Sequence, residues 1–172
     1  MERKNPANLF VCDCITKALF KLMKKKEYHN IKISELVNTA GVSRNSFYRN
    51  YQSTEEILRE YLVLKTTEWW SNFMRHPEKY SHVISEMFQH FLNMKEEIDL
   101  IYQAGLSYLL MEHIFHFSKE SLNGEIQNVY KTAFLSGGLW GLINEWVLRG
   151  MKETPDEMEQ FFLNQTQDLN NT

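Results

Sequence analysis

Apolar residues fall on one helical face in segment after segment of this 172-residue chain. Leu9, Phe10, Ile15, Ala18, Leu19, Leu22 and Met23 form a stripe that predicts a first helix from residue 6, with Asn5 as cap and Pro6 at the first helical position, to about residue 26. Ile33, Leu36, Val37 and Ala40 make a second, shorter stripe. Gly41 then supplies a turn that a Cβ would resist, Val42 fills the corner, and Ser43 caps a third helix over Arg44–Asn50 in which Phe47, followed by Tyr51, turns inward. Ser53 and Glu56 match a reciprocal capping box. They open a long fourth helix through Leu58, Leu62, Lys65, Trp69 and Phe73, which must stop before Pro77.

From Tyr80 onward the chain shows no period-two alternation and few prolines or glycines, so helices are expected at 81–93, 96–105, 107–117, 125–150 and 155–165. The last has the clearest start: Thr154 as cap, Pro155 at the first position and Glu157 at the third. The polar tail 165–172 is expected to fray. The pattern as a whole is all-α, with about nine helices. A three-helix N-terminal domain over 1–52 is joined by the long fourth helix to a C-terminal helical bundle over 53–172.

The two short helices around Gly41 read as a helix-turn-helix. Arg44, Asn45, Ser46, Tyr48, Arg49 and Asn50 are left pointing outward from the second of them. Arg suits guanine edges, Asn suits adenine edges, and Ser, Tyr and a helix N-terminus suit phosphate oxygens. A plain αα-hairpin with a polar exposed face is the other reading of the same residues. Charge separates the two. The net charge is −3, yet residues 1–52 hold ten Lys/Arg against four Asp/Glu, a surplus of six positive charges, so the remainder carries −9. A polyanion would be attracted to the N-terminal third and repelled by the rest.

Cys12 and Cys14 sit two apart on a helix, where they cannot bridge, and are expected to be reduced. No apolar run approaches the roughly 20 residues of a membrane span, and no apolar leader follows the charged start, so a cytoplasmic protein that does not insert into membranes is expected. No Gly-rich phosphate loop, nucleophile elbow or Cys-His pair is present, and Glu96-Glu97 is a helix's acidic first turn, so neither an enzyme nor a cofactor is expected. His113 and His116 lie three apart beside Glu112, with His82 and His90 earlier. Without a third ligand at motif spacing they read as ordinary helix histidines, and no metal is expected.

Trp69, Phe73, Met87, Phe91, Tyr102, Tyr108, Met111 and Phe115 can line an apolar effector pocket in the bundle, or can equally be plain core. Gly137, Gly138 and Gly141 within one helix cost about 1 kcal/mol each relative to alanine, which close approach of another helix would offset. With Trp140, Ile143, Trp146, Met158, Phe161 and Phe162 they suggest a two-helix face, self-complementary about a two-fold axis. Burial beneath the seventh helix is the alternative.

The brace helix, the run AGVSRNSFYRNY and the S-x-E-E-I-L start of the fourth helix together resemble the TetR/AcrR family of bacterial transcriptional regulators over about residues 8–60. The segment FLSGGLWGLINEWVLRG with TPDEM is also similar to a form common among such regulators in Gram-positive bacteria. The resemblance implies a homodimer on a palindromic double-stranded DNA operator, with repression relieved by a small-molecule or protein effector as the family's usual output. By the same resemblance Arg44, Asn45, Ser46 and Arg49 face bases, and Tyr48 packs on the DNA backbone. Two departures stand out. Lys32 replaces the family's usual Thr cap of the second helix, so that helix is expected to begin later with Ser34 as cap. Thr54 replaces a Lys that reaches phosphate, a loss that its hydroxyl, the helix N-terminus or Lys32 would offset. If they do not, the chain is instead an all-α co-regulator or interaction module that keeps the fold and lacks operator binding.

Overall fold

The computed structural model describes residues 6–120 and 126–170, with side chains over 6–117 and 129–166. Nine α-helices stand among the described residues, with no strand: α1 (Pro6–Met23), α2 (Ile33–Ala40), α3 (Arg44–Asn50), α4 (Thr54–Phe73), α5 (Val83–Asn93), α6 (Lys95–Gln103), α7 (Ser107–Glu120), α8 (Ile126–Leu148) and α9 (Pro155–Asn170). The all-α expectation holds. The Asn5 cap and a start of α8 at Glu125 lie outside the described residues.

Local chemistry explains where the ends fall. Gly41 takes φ 67°, and Val42 N donates to Val37 O at 3.0 Å, a left-handed C-cap that turns α2 into α3. α2 begins at Ile33, two residues earlier than a Ser34 cap would allow. The Lys32 carbonyl accepts from both Glu35 N and Leu36 N at 3.0 Å, so Ser34 lies inside the helix and no side chain caps it. At α4, Ser53 Oγ accepts from Glu56 N at 3.3 Å, while the Glu56 carboxylate reaches past the cap to Gln52 N at 2.6 Å. The box at α9 is reciprocal as expected: Glu157 N donates to Thr154 Oγ1 at 3.3 Å, and Thr154 N to Glu157 Oε2 at 2.7 Å. α9 outlasts its expected end at 165, because the polar residues beyond contain no proline or glycine to stop it. α1 stops short of 26, and Lys24, Lys25 and Lys26 form its closing turn.

α1 is the brace: it packs on α2, α3, α4 and α6. The core along it holds Ile15, Leu19, Leu36, Phe47, Ile57 and Leu58, each fully buried. That core continues without a gap into Ile98, Ile101, Leu109 and Trp146 of the C-terminal helices. Lys24 pairs with Glu96 at 2.5 Å, tying α1 to α6. α5 packs on α9, and α7 on α8.

The α8–α9 connection is tightly specified. Gly150 (φ 86°) and then Met151 (φ 54°) both take left-handed backbone, although Met151 is buried and carries a Cβ. Trp146 Nε1 donates across the turn to Glu153 O at 2.9 Å.

Candidate nucleic-acid interface

α3 is held from beneath by Phe47 and capped by Ser43, whose Oγ accepts from Ser46 N at 3.0 Å. Arg44, Asn45, Tyr48 and Arg49 are exposed. At about 100° per residue they share an arc of roughly 140° opposite Phe47, one continuous polar face. Arg44 and Arg49 hold no ion pair among the described residues, and neither does Lys32, so their charge is uncompensated. Lys26, by contrast, is paired with Glu35 at 2.6 Å.

Two residues expected on the outward face sit at its edge instead. Ser46 and Asn50 are half-buried, and Asn50 Nδ2 donates to Ser46 O at 2.8 Å, so part of the amide is committed to its own helix. Both share a hollow with Arg49 and with Ala7, Asn8 and Val11 of α1. Sequence reasoning does not single out Asn8, although its place two residues after Pro6, in the first turn of α1, is a visible signal. Ser34 is exposed on α2. Thr54 is the first residue of α4, and its Oγ1 is 2.7 Å from Tyr28 OH. Burial pushes the Tyr28 hydroxyl above its ordinary pKa, so the phenol stays protonated beside Thr54.

Just below, α4 and α7 are laced together. Tyr108 OH donates to Glu55 Oε2 at 2.7 Å, and Arg59 pairs with Glu112 while lying 5.8 Å over the Tyr108 ring. Further along, Thr66 Oγ1 and His113 Nε2 are 2.7 Å apart. Beyond that pair is a cavity of about 30 Å³ bounded by Thr66 and Trp69 of α4, Met87, His90 and Phe91 of α5, and His113 and Phe117 of α7. Of the expected pocket residues only Trp69, Met87 and Phe91 line it. Phe73 stacks on Trp69 behind the wall, Tyr102 OH donates to Asn144, Tyr108 is drawn away to Glu55, and Phe115 lies under Gly137. Met111 does not reach it either. The polar lining escapes the sequence pattern, though Thr66 gives a signal as a lone hydroxyl on the stripe Leu62, Trp69, Phe73. Burial lowers both His90 and His113 to about 4, and each is further lowered by a neighbouring histidine, so both rings are neutral at pH 7. No cluster of three potential metal ligands occurs among the described residues.

The glycine-bearing helix divides its residues between two faces. Ile143, Trp146 and Met158 were expected on a self-complementary outer face, but all three are buried inside the subunit, with Trp146 packed edge-on to Phe88 at 5.2 Å. Burial beneath α7 applies to Gly137 alone, where an added Cβ would lie 4.0 Å from Phe115. Gly138 and Gly141 have open space where a Cβ would stand. They floor an apolar groove of about 400 Å³ between α8 and α9, walled by Phe134, Leu135, Leu142 and Phe162. Phe161 is exposed and Trp140 is half-buried. Tyr130 and Phe134, which periodicity does not single out, expose 76% and 61% of their surface.

Comparison with known proteins agrees with this architecture. Residues 15–61 match bacterial regulatory proteins of the tetR family, and residues 68–168 match a transcriptional regulator C-terminal region. Over 44 residues the chain is 41% identical to the HTH-type dhaKLM operon transcriptional activator DhaS of Lactococcus lactis, a stretch that is 26% of this chain and spans about a quarter (24%) of that relative. The solved structure of a dihydroxyacetone kinase operon activator DhaS superposes with a TM-score of 0.59 over 91% of this chain and 96% of that one; at 15% identity this speaks to the fold. With one match over the helix-turn-helix and another over more than half of the chain behind it, the protein belongs to the tetR family of bacterial transcriptional regulators.

Proposed function

We propose that the protein is a cytoplasmic homodimer that binds a palindromic operator through α3 and is switched by an effector acting on its C-terminal bundle. Residues 1–52 carry the DNA reading, and 53–172 the response and the self-association. The observation that carries this is the polar arc of Arg44, Asn45, Tyr48 and Arg49 on a helix rigidly capped and buried behind, in the part of the chain with six surplus positive charges. One α3 reads too few base pairs to be specific. The uncovered groove of α8 and α9 supports a two-fold partner, which doubles the site.

Repression follows where the operator overlaps a promoter. Activation is the second reading, favoured by a relative that is itself an operon activator. The sign depends on where the operator lies relative to the promoter, and a reporter assay with and without the protein distinguishes the two. The experiment that tests the main reading is a gel shift on DNA flanking the protein's own gene across a salt series. Specific, salt-dependent retardation is expected. Retardation indifferent to DNA sequence at every salt concentration would leave a co-regulator with the fold and without operator recognition.

A further inference from the structure

The cavity beyond the α4–α7 contact has an unusual wall. His90 is 8% exposed, its ring is stacked on Trp69 at 5.3 Å and 18°, and its Nε2 is buried with no hydrogen-bond partner among the described residues. An unsatisfied buried polar atom of this kind costs about 1–3 kcal/mol. His113, its neighbour, is already satisfied by Thr66. The lining contains no Asp, Glu, Lys or Arg, and most of its side chains are apolar. A charged ligand would lose its hydration without gaining a counter-charge.

We propose that this cavity binds a small, uncharged and largely apolar molecule through a single hydroxyl group, as a simple phenol or short alcohol would offer. The hydroxyl sits on His90 Nε2, and the apolar part lies against Trp69 and Phe117. A hydroxyl both donates and accepts, so it satisfies Nε2 in either tautomer of a neutral imidazole. The cavity volume of about 30 Å³ admits that hydroxyl and little else. A ring needs on the order of 150 Å³, and Met87, unbranched and flexible on the wall, is the side chain able to swing aside. This inference rests on reading the bundle as the responsive part of the protein.

The test is titration of the full chain with phenol and with toluene, of similar shape but lacking the hydroxyl, followed by tryptophan fluorescence. Saturable binding of phenol at least about tenfold tighter than toluene is expected. In His90→Phe, which keeps an aromatic ring and removes the nitrogen, that preference should vanish. Equal binding of the two probes by the wild type, no phenol binding, or an undiminished preference in a folded His90→Phe would overturn the proposal. Should that variant unfold, imidazole ¹⁵N spectra of the wild type decide: one buried histidine must shift with phenol and not with toluene. These measurements contain no DNA, so a protein that shifts its operator and ignores phenol defeats this inference alone, and the converse defeats only the operator reading.

Discussion

The outward faces of α3 and α8 are both left uncovered by the subunit, and they differ in what water does for them. Arg44, Asn45 and Arg49 are fully served by solvent, so folding neither requires nor resists a partner there. Tyr130, Phe134 and Leu148, with the groove around Gly138 and Gly141, hold apolar surface in water, where covering it would gain roughly 25 cal/mol per Å². The first surface therefore discriminates among partners by geometry. The second accepts whatever matches its shape, and a second copy of the same face is the partner always present at equal concentration. The inner side of α8 adds a third condition, since Trp146 and Ile143 spend their apolar area within the subunit.

The largest effect should come from confusing these two sides of α8. Trp146→Ala removes a side chain that is 1% exposed and deprives Glu153 O of its donor, and should cost about 3–5 kcal/mol of folding stability by urea titration. Were Trp146 instead part of an association face, the variant would fold normally and sediment as a smaller species. Gly141→Leu is the complementary change. A Cβ at this position meets nothing within 4 Å among the described residues and opens onto the groove, so circular dichroism should stay helical. Association, read by sedimentation at micromolar concentration, should weaken by about 1–3 kcal/mol per subunit through overpacking, and operator binding should fall with it. A variant of unchanged mass would show that a different surface is paired.

On α3, Arg44→Ala and Arg49→Ala should each remove about 1–3 kcal/mol of operator affinity and relax the preference at one base position per half-site, with no change in sedimentation. Unaltered affinity in both would move the reading face elsewhere. The smallest effect belongs to Lys32→Gln. The log–log salt slope should fall by about two for a dimer, one for each phosphate that Lys32 no longer neutralises, with specificity preserved. An unchanged slope would show that Lys32 touches no phosphate.

The helix-turn-helix was legible because everything that makes it is local. The stripe of α2, the left-handed Gly41 and the Ser43 cap all act within a dozen residues, as does the Thr154–Glu157 box of α9. Where capping went wrong, at Ser34, backbone carbonyls alone sufficed to start the helix. α8 was harder to read. It is apolar nearly all round, so periodicity marks a helix without saying which side meets α9 and α7 and which meets solvent. Only packing assigns Trp146 inward and Phe134 outward. The cavity was harder still, since Thr66 meets His113 across 47 residues of sequence, and Tyr108 is diverted from it by Glu55, 53 residues away. Such pairings leave no local pattern.

The turn between α8 and α9 bears on how readily the uncovered face is used. With two consecutive residues in left-handed backbone and Trp146 bonded across to Glu153, the crossing of the two helices is held by contacts within the single subunit. Under the proposed pairing, a partner would meet a groove whose shape is already determined, and little conformational entropy would remain to be lost on contact. Association of this kind is limited by encounter and orientation rather than by rearrangement, and a subunit newly released from the ribosome would be competent to pair as soon as it has folded.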